Sequence, residues 1–442
     1  MIGEWCRKKV FWLVDYVRGG VVKKHYKDIK YMCENNKFSK GKIEVRLTQL
    51  LTYATENVDM YKAYKNFKKL SDFPIVDKKI ISDAGDGAFS RKFDKDNVVK
   101  MYTSGSSGTS FVSYQNIDKK NRVKAEVIYF GELCNYTIGD RNVYLRVWSE
   151  ENKKSFISAC MQNMIMIDIT KLDEEILERI RKKLKSDKRI KCILGYPSTY
   201  EILSTYCLEH NDNPGMFNIN TIISSAETLT NSTRRKLELL FGCKIVSRYA
   251  NQENGILAQE LKDKSIFVLN KGSYFFEFLK LNSDERANHG ELARVVVTDL
   301  YNYEMPMIRY DTKDVAVAGE DDVFGEVIVT IFGRREDQIY SVEGVPISIG
   351  TVDYDMQKYN YLDQYQVIQE SESNYTLNVV GAEGVYKEED LIVTMKDILG
   401  EGANITIMHM ENIPRLKSGK YQLLVSNYNP QIKEELMKIH ER

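Results

Sequence analysis

Residues 101–110 read Met101-Tyr102-Thr103-Ser104-Gly105-Ser106-Ser107-Gly108-Thr109-Ser110, a run of hydroxyl side chains broken twice by glycine. Glycine lets a backbone approach a ligand closely and take up positive φ. Successive amides can then converge on an anion, with Ser and Thr hydroxyls as further donors. Such a loop suits the oxygens of a polyphosphate. A phosphate loop ending in Gly-Lys-Ser/Thr opens a helix, but this one has no such lysine. Phe111-Val112-Ser113-Tyr114 instead alternates like a strand. Loop and strand therefore read as a hairpin clasp over a nucleotide, with a plain Ser/Thr/Gly surface turn as the alternative.

Outward from the clasp, the pattern on both sides is regular. Upstream, Val45, Leu47, Leu50, Leu51, Tyr53, Ala54, Val58 and Tyr61 have helical spacing across Lys42–Phe67, and Pro74 and the polar Ser82–Gly87 cluster break it. Downstream, Arg122–Leu133 reads as a helix and Val143–Trp148 as a strand. Asp173–Lys185 reads as a charged helix with the opposite-sign pairs Glu175–Arg179 and Glu178–Lys182. The buried-strand run Ile190–Leu194 follows, then strand Ile222–Ser225, helix Asn231–Leu240 and strand Lys244–Ser247. This alternation predicts an α/β fold with parallel layers. From Phe275 to Leu300 the pattern becomes strand-rich. Strand Val327–Phe332 ends in Gly333-Arg334-Arg335-Glu336-Asp337, which reads as a linker. Beyond it, strands Tyr375–Val380 and Ile405–Met408 and helix Lys387–Leu399 make up a small α+β domain.

The chain has 442 residues, more than one hydrophobic core organises, so at least two domains are expected. Lys+Arg and Asp+Glu both number 63, which removes a general electrostatic case for nucleic acid. The seven cysteines (Cys6, Cys33, Cys134, Cys160, Cys192, Cys207, Cys243) never form a Cys-x-x-Cys pair. That pattern argues against a zinc ribbon or disulfide framework and fits a reducing cytosol, so the expected location is cytoplasmic. The five histidines have no metal-binding spacing. No apolar run reaches membrane-spanning length, and Asp15 and Arg18 interrupt any signal-peptide core. Trp5–Val17 reads in two ways: an amphipathic helix docked on its own domain, or a membrane-surface helix with Arg7, Lys8, Lys9 and Arg18.

Several further segments gain meaning together. Tyr249-Ala250-Asn251-Gln252-Glu253 places a carboxylate at the exposed end of a strand, and Pro306–Asp314 offers Asp314 in a turn. Arg334 is a cation at the domain junction, and Ile413–Lys420 puts Lys420 after a Ser-Gly turn. Singly, each is an ordinary surface charge. In this order they resemble the adenylate-forming superfamily of acyl-CoA synthetases, luciferases and peptide-synthetase adenylation domains, and the resemblance covers most of the chain. Within it the chain looks most like the phenylacetate–CoA ligase branch. Arg46-Leu47 to Val58 resembles that branch's N-terminal helix, Pro197-Ser198 its substrate-side loop, Ala226-Glu227 its Ala-Glu turn, and Ala258-Gln259-Glu260 the strand after its magnesium glutamate. Gln115–Phe130, with Lys119-Lys120-Asn121-Arg122, resembles the CapK-like members found with capsular polysaccharide biosynthesis.

The resemblance implies a large N-terminal domain, 1–332, of layered α/β sheets with a strand-rich subdomain. A small mobile α+β domain, 333–442, would follow, with its hinge at Glu336. It implies conversion of a carboxylic acid and ATP to an acyl-adenylate and pyrophosphate, AMP being released on acyl transfer. Thr103, Ser104, Gly105, Ser106, Ser107, Gly108 and Thr109 would hold the β- and γ-phosphates. Glu253 would bind Mg²⁺, and Asp314 the ribose hydroxyls. Arg334 would add a cation beside the nucleotide, where Ala226, Glu227, Tyr249, Ala250 and Asn251 also lie. Lys420 would reach the α-phosphate and substrate carboxylate. Tyr196, Pro197, Ser198, Ser224, Ser225 and Gln252 would face the acid, and Gly344 would keep an acceptor tunnel open.

Two departures bear on specificity. Ala250 replaces a glycine common after the tyrosine and adds a methyl near the adenine face. The polar Asn251–Asn254, with Ser224 and Ser225, argues against phenylacetate and toward a small polar, amino-bearing or uronic-acid-like acid. Three acceptors stay open: the coenzyme A thiol, which is the family default, a carrier-protein phosphopantetheine thiol, or an amine, with amide or ester decoration of a sugar in a CapK-like setting. A non-catalytic nucleotide-binding protein on this scaffold is the reading from another class. A homodimer follows from analogy alone.

Overall fold

The protein is described from a computed structural model, which covers residues 3–93, 98–103, 111–148, 152–334, 339–347, 349–359, 362, 364–381, 386–414 and 422–428. Three helices open the chain, α1 (Glu4–Val17), α2 (Val21–Glu34) and α3 (Asn36–Asn57), followed by the short α4 (Lys78–Ala84). Asp77 caps α4, its side chain accepting from Ile80 N at 2.9 Å. Ser82 therefore lies within a helix and not in the expected break, because the cap satisfies the first turn.

The clasp is a hairpin of β1 (Val99–Thr103) and β2 (Phe111–Gln115), antiparallel from Val99↔Gln115 to Thr103↔Phe111. Residues 104–110 of its loop lie outside the described residues. Asn116 then caps α5 (Ile117–Leu133), accepting from Lys119 N at 2.7 Å.

Alternation follows as the sequence predicts: β3 (Arg141–Arg146), α6 (Phe156–Met161), β4 (Met164–Asp168), α7 (Glu174–Ser186), β5 (Ile190–Gly195), α8 (Pro197–Glu209), β6 (Thr221–Ser225), α9 (Asn231–Phe241) and β7 (Ile245–Asn251). These five strands pair in parallel in the order β4-β3-β5-β6-β7. One face packs on α7, α8 and α9 through Val143, Leu145, Ile180, Ile193, Leu203 and Leu237. Gly195 belongs to this packing, since a Cβ there would meet the Tyr200 ring at 3.1 Å and Leu145 Cβ at 3.3 Å. Of the two helical ion pairs expected on α7, Glu178–Lys182 is present at 3.4 Å.

At β7 the sheet changes character. β8 (Gly255–Glu260), β9 (Phe267–Leu269), β10 (Tyr274–Leu279), β11 (Leu292–Asp299), β12 (Tyr310–Asp321) and β13 (Gly325–Arg334) extend it antiparallel to eleven strands. The change needs no crossover helix, because antiparallel neighbours are joined by short turns. Asp314 pairs with Arg334 inside the β12–β13 ladder. It is thus a strand residue, where the sequence suggested a turn, and Gly333 and Arg334 belong to the sheet, where a linker was expected. The left-handed φ of 65° at Lys313 marks the local irregularity that the sequence pattern suggested as a turn.

Residues 339–424 bury a cluster of their own around Val367, Leu377, Leu391, Met395 and Leu424. Its elements are β14 (Ile339–Tyr340), β15 (Pro346–Ile347), α10 (Ile349–Met356), β16 (Gln364–Gln369), β17 (Asn374–Val380), α11 (Glu388–Leu399), β18 (Asn404–His409) and β19 (Leu424–Ser426). At the other end of the chain, α1 packs Phe11 and Trp12 on the core shared by α2 and α5, while Trp5 and Tyr16 are exposed. Among the described residues no helix is long and apolar enough to cross a membrane.

Candidate functional site

A cavity of about 2020 Å³ opens at the carboxyl ends of the parallel strands. Arg146 after β3, Tyr196 and Pro197 after β5, Ala226 and Glu227 after β6, and Tyr249 to Asn254 at β7 all line it. This is where open α/β sheets take ligands, because the loops leave the strand ends in one direction and diverge. Residues of β12, of β13 and of the 349–423 region close other sides, with Asp314, Ile331, Thr351 and Gln364 in the wall.

Glu253 is only 3% exposed, so the sequence-level picture of a carboxylate at an exposed strand end is corrected. Tyr310 OH donates to its Oε1 at 2.6 Å, and Lys78 Nζ stands 3.2 Å from the same oxygen. Gln115 of the clasp donates through Nε2 to the Glu253 carbonyl at 2.9 Å, tying β2 to the site. Among the described residues no group of three or more His, Cys, Asp or Glu gathers to hold a metal. A lone buried carboxylate already facing a cation suits Mg²⁺ brought in with polyphosphate, since magnesium keeps several waters and takes the rest of its shell from phosphate oxygens.

Asp314 accepts from Tyr249 OH at 2.6 Å. Desolvation, and then the adjacent Asp314 charge, push the Tyr249 phenol well above its ordinary value. It therefore remains a donor and orients the carboxylate. The Ala-Glu turn shows its own constraint: Ala226 has φ of 75°, which non-glycine residues rarely adopt. Glu227 accepts from Ser198 N at 2.9 Å and from Ser198 Oγ at 3.1 Å. It thus sits at the N-terminus of α8, where Pro197 opens the helix, and locks the substrate-side loop to the turn after β6.

Of the other sequence candidates, Ala250, Asn251, Gln252 and Ser225 line the cavity, whereas Ser224 is fully buried in β6 and faces elsewhere. Gly344 lies exposed in a turn with φ of 78° and open space around it, so here its glycine serves the backbone conformation. Thr103 ends β1 and Arg334 ends β13. Ser104, Gly105, Ser106, Ser107, Gly108, Thr109, Glu336 and Lys420 lie outside the described residues.

The structure adds residues that pattern reading missed. Lys78 and Tyr310 join Glu253 from distant segments, with no local signal to mark them. Gln115 Oε1 and both amide atoms of Asn254, residues of the cavity wall, are buried and have no hydrogen-bond partner among the described residues. Burying such groups is costly unless something pairs with them.

Comparison with known proteins places the fold. The CapK C-terminal domain family model matches residues 339–427. Protein CapK of Staphylococcus aureus is 24% identical over 439 residues, spanning 93% of this chain and 94% of that protein. Among solved structures, 2-hydroxyisobutyryl-CoA ligase in the postadenylation state with R3-HIB-AMP is similar at 15% identity with a TM-score of 0.74, covering 92% of this chain and 94% of that one. The same ligase in an open conformation with 2-HIB-AMP and CoA gives 0.60 at 16% identity, over 87% and 91%. ATP-bound MatB from Rhodopseudomonas palustris gives 0.57 at 15% identity, over 79% and 70%. The chain has the fold of these acyl-adenylate-forming ligases.

Proposed function

We propose that the chain activates a carboxylic acid with ATP and Mg²⁺, releasing pyrophosphate, and passes the acyl group to the thiol of coenzyme A. The observation that carries this reading is one cavity lined by a buried Glu253, held by Tyr310 and Lys78, and by an Asp314 that Tyr249 orients. In the first step a carboxylate oxygen bonds to the α-phosphorus while the bond to the bridging oxygen of pyrophosphate breaks. Both reactants are anions, so charge neutralisation dominates. Bound at Glu253, Mg²⁺ would supply positive charge to the phosphate oxygens. Lys78, freed from Glu253, turns its ammonium to the phosphates. Asp314, an acceptor-only group when ionised, takes the ribose hydroxyls. Lys420 reaches the α-phosphate from the small domain, 333–442, which pivots on the 1–332 domain at Glu336, and Gly344 enters the acceptor path in the second step. There the thiol attacks the acyl carbon and AMP leaves.

ATP–pyrophosphate exchange over a panel of acids tests activation, and AMP release on adding each acceptor tests transfer. The likeness to Protein CapK along nearly the whole chain favours one second reading, an amide- or ester-forming ligase decorating a sugar in capsular polysaccharide or secondary-metabolite synthesis. Turnover with an amine or sugar acceptor and none with coenzyme A would select it. ATP binding without exchange on any acid would leave a non-catalytic nucleotide-binding protein.

A further inference from the structure

One wall of the cavity carries Arg146, which has no carboxylate partner among the described residues. β3 alternates, so Val143 and Leu145 enter the core against α7–α9, while Tyr144 and Arg146 take the opposite face. The Arg146 guanidinium lies 5.9 Å from the Tyr144 ring centre and 5.8 Å from that of Trp148, and it is a charged neighbour of the Tyr196 phenol. Across the cavity, α5 contributes Val123 and Val127, next to Met101 of the clasp. Half-buried Lys120 of the same helix places Nζ 3.7 Å from the Met101 sulfur. Lys154 is also half-buried and feels Lys120, Arg146 and Lys124 as its charged neighbours, with no carboxylate among them. Burial, then these cations, push the Lys154 amine below its ordinary value, and burial followed by Lys124 does the same for Lys120.

By contrast, Lys119 and Arg122, on the other face of α5, are fully buried and paired, Lys119 with Asp299 at 2.7 Å and Arg122 with Asp28 at 2.7 Å. Arg146 in the cavity wall, and Lys120 and Lys154 as its charged neighbours, have no such partner among the described residues; Glu150 and Glu151 lie outside these. Clustered, partly desolvated like charges cost free energy, and an anion relieves that cost. A guanidinium held among aromatic rings presents a rigid fork suited to a carboxylate or phosphate.

We infer that the activated acid carries a second anionic group, a carboxylate or a phosphate, seated against Arg146, with Lys120 and Lys154 as the neighbouring cations. This rests on the acid-activation reading and narrows it. An amino-bearing acid, one of the readings of the polar 251–254 segment, would set its ammonium against these cations.

The test compares matched acids in pyrophosphate exchange: a short dicarboxylate against its monoamide, and a phosphorylated hydroxy acid against the free hydroxy acid. Calorimetric binding of each acid provides a readout independent of turnover. The wild-type protein should favour the dianionic member of at least one pair by about tenfold or more in kcat/KM, mostly through KM. Arg146→Gln should collapse that ratio about tenfold, and Lys154→Gln, which removes a neighbouring cation only, should lower it about threefold. The pair that shows the preference separates carboxylate from phosphate. A wild-type ratio of one or less in both pairs, with exchange still present, overturns the inference and leaves acid activation standing. Equal losses for both members in Arg146→Gln also overturn it, since that is the signature of Arg146 merely positioning Tyr196. Absence of exchange with every acid removes the activation reading, and this inference with it.

Discussion

Lys78 Nζ and Glu253 Oε1 are 3.2 Å apart, and that same carboxylate oxygen accepts from Tyr310 at 2.6 Å. Without nucleotide, the buried glutamate is balanced by a lysine from a segment 175 positions earlier in the chain. Glu253 would hold a divalent ion on the proposed reading, and Lys78 would then be the cation left to offer to phosphate oxygens.

Glu253→Gln keeps the shape and loses the charge. Pyrophosphate exchange should fall by about a hundredfold or more, as for loss of a preorganised charge-stabilising group. Tyr310→Phe should cost roughly tenfold, and raised Mg²⁺ should restore it in part, because a hydrogen bond to a charged group contributes about 1.5–3 kcal/mol. Equal rescue of both variants by Mg²⁺ would contradict these roles.

Tyr249→Phe leaves Asp314 without the 2.6 Å donor that aims it. KM for ATP should rise about tenfold with a smaller change in kcat, since the lost bond serves nucleotide binding. A deoxy-ATP analogue lacking a ribose hydroxyl should show little further loss in Asp314→Ala. A full additional loss there would place the ribose elsewhere.

Lys420→Ala should slow adenylation by roughly a hundredfold or more, matching about 3–4 kcal/mol of barrier for one lost donor at developing charge. Near-normal exchange would refute the role.

The buried Lys119–Asp299 pair is structural. Lys119→Met strands Asp299 in the core and should cost about 3–5 kcal/mol, read as a lower urea midpoint. Lys119→Met combined with Asp299→Leu should recover much of that loss. A single variant as stable as wild type would show that the charge is not stranded.

The Lys154 amine is held below its ordinary value of 10.5, so it sheds its proton earlier than a free lysine as pH rises. Any preference for a dianionic acid should therefore weaken as pH rises, before the ordinary lysine value of 10.5 is reached, and Lys154→Arg should flatten that profile. The sign also holds for stability: the charged amine is disfavoured by folding, and its cost is relieved by deprotonation or by an anion. A profile unchanged by Lys154→Arg would assign the titration to another group.

Much of the fold was legible because its local signals agree. The apolar run Ile190–Leu194, the cap Asp173 and the paired charges Glu178 and Lys182 each point to one element, and each element is there. The errors fall where tertiary context overrode such signals. Asp314 looked like a turn residue because its neighbours are polar, but the ladder from Val315↔Gly333 through Asp314↔Arg334 holds it in a strand. Glu253 looked solvated because Asn251, Gln252 and Asn254 surround it, yet β12 brings Tyr310 over it and seals it.

From its residues alone, this chain declares a layered α/β scaffold, a hydroxyl-lined clasp and an ordered set of acidic and basic groups, since periodicity and glycine placement are local properties. Which charges point where was settled only by folding. Lys119, Lys120 and Arg122 look alike in one basic tract, but helical geometry sends the first and third into a core lined with carboxylates and the second toward the cavity. Side-chain facing depends on what the rest of the chain packs against a helix, and no local pattern contains that information.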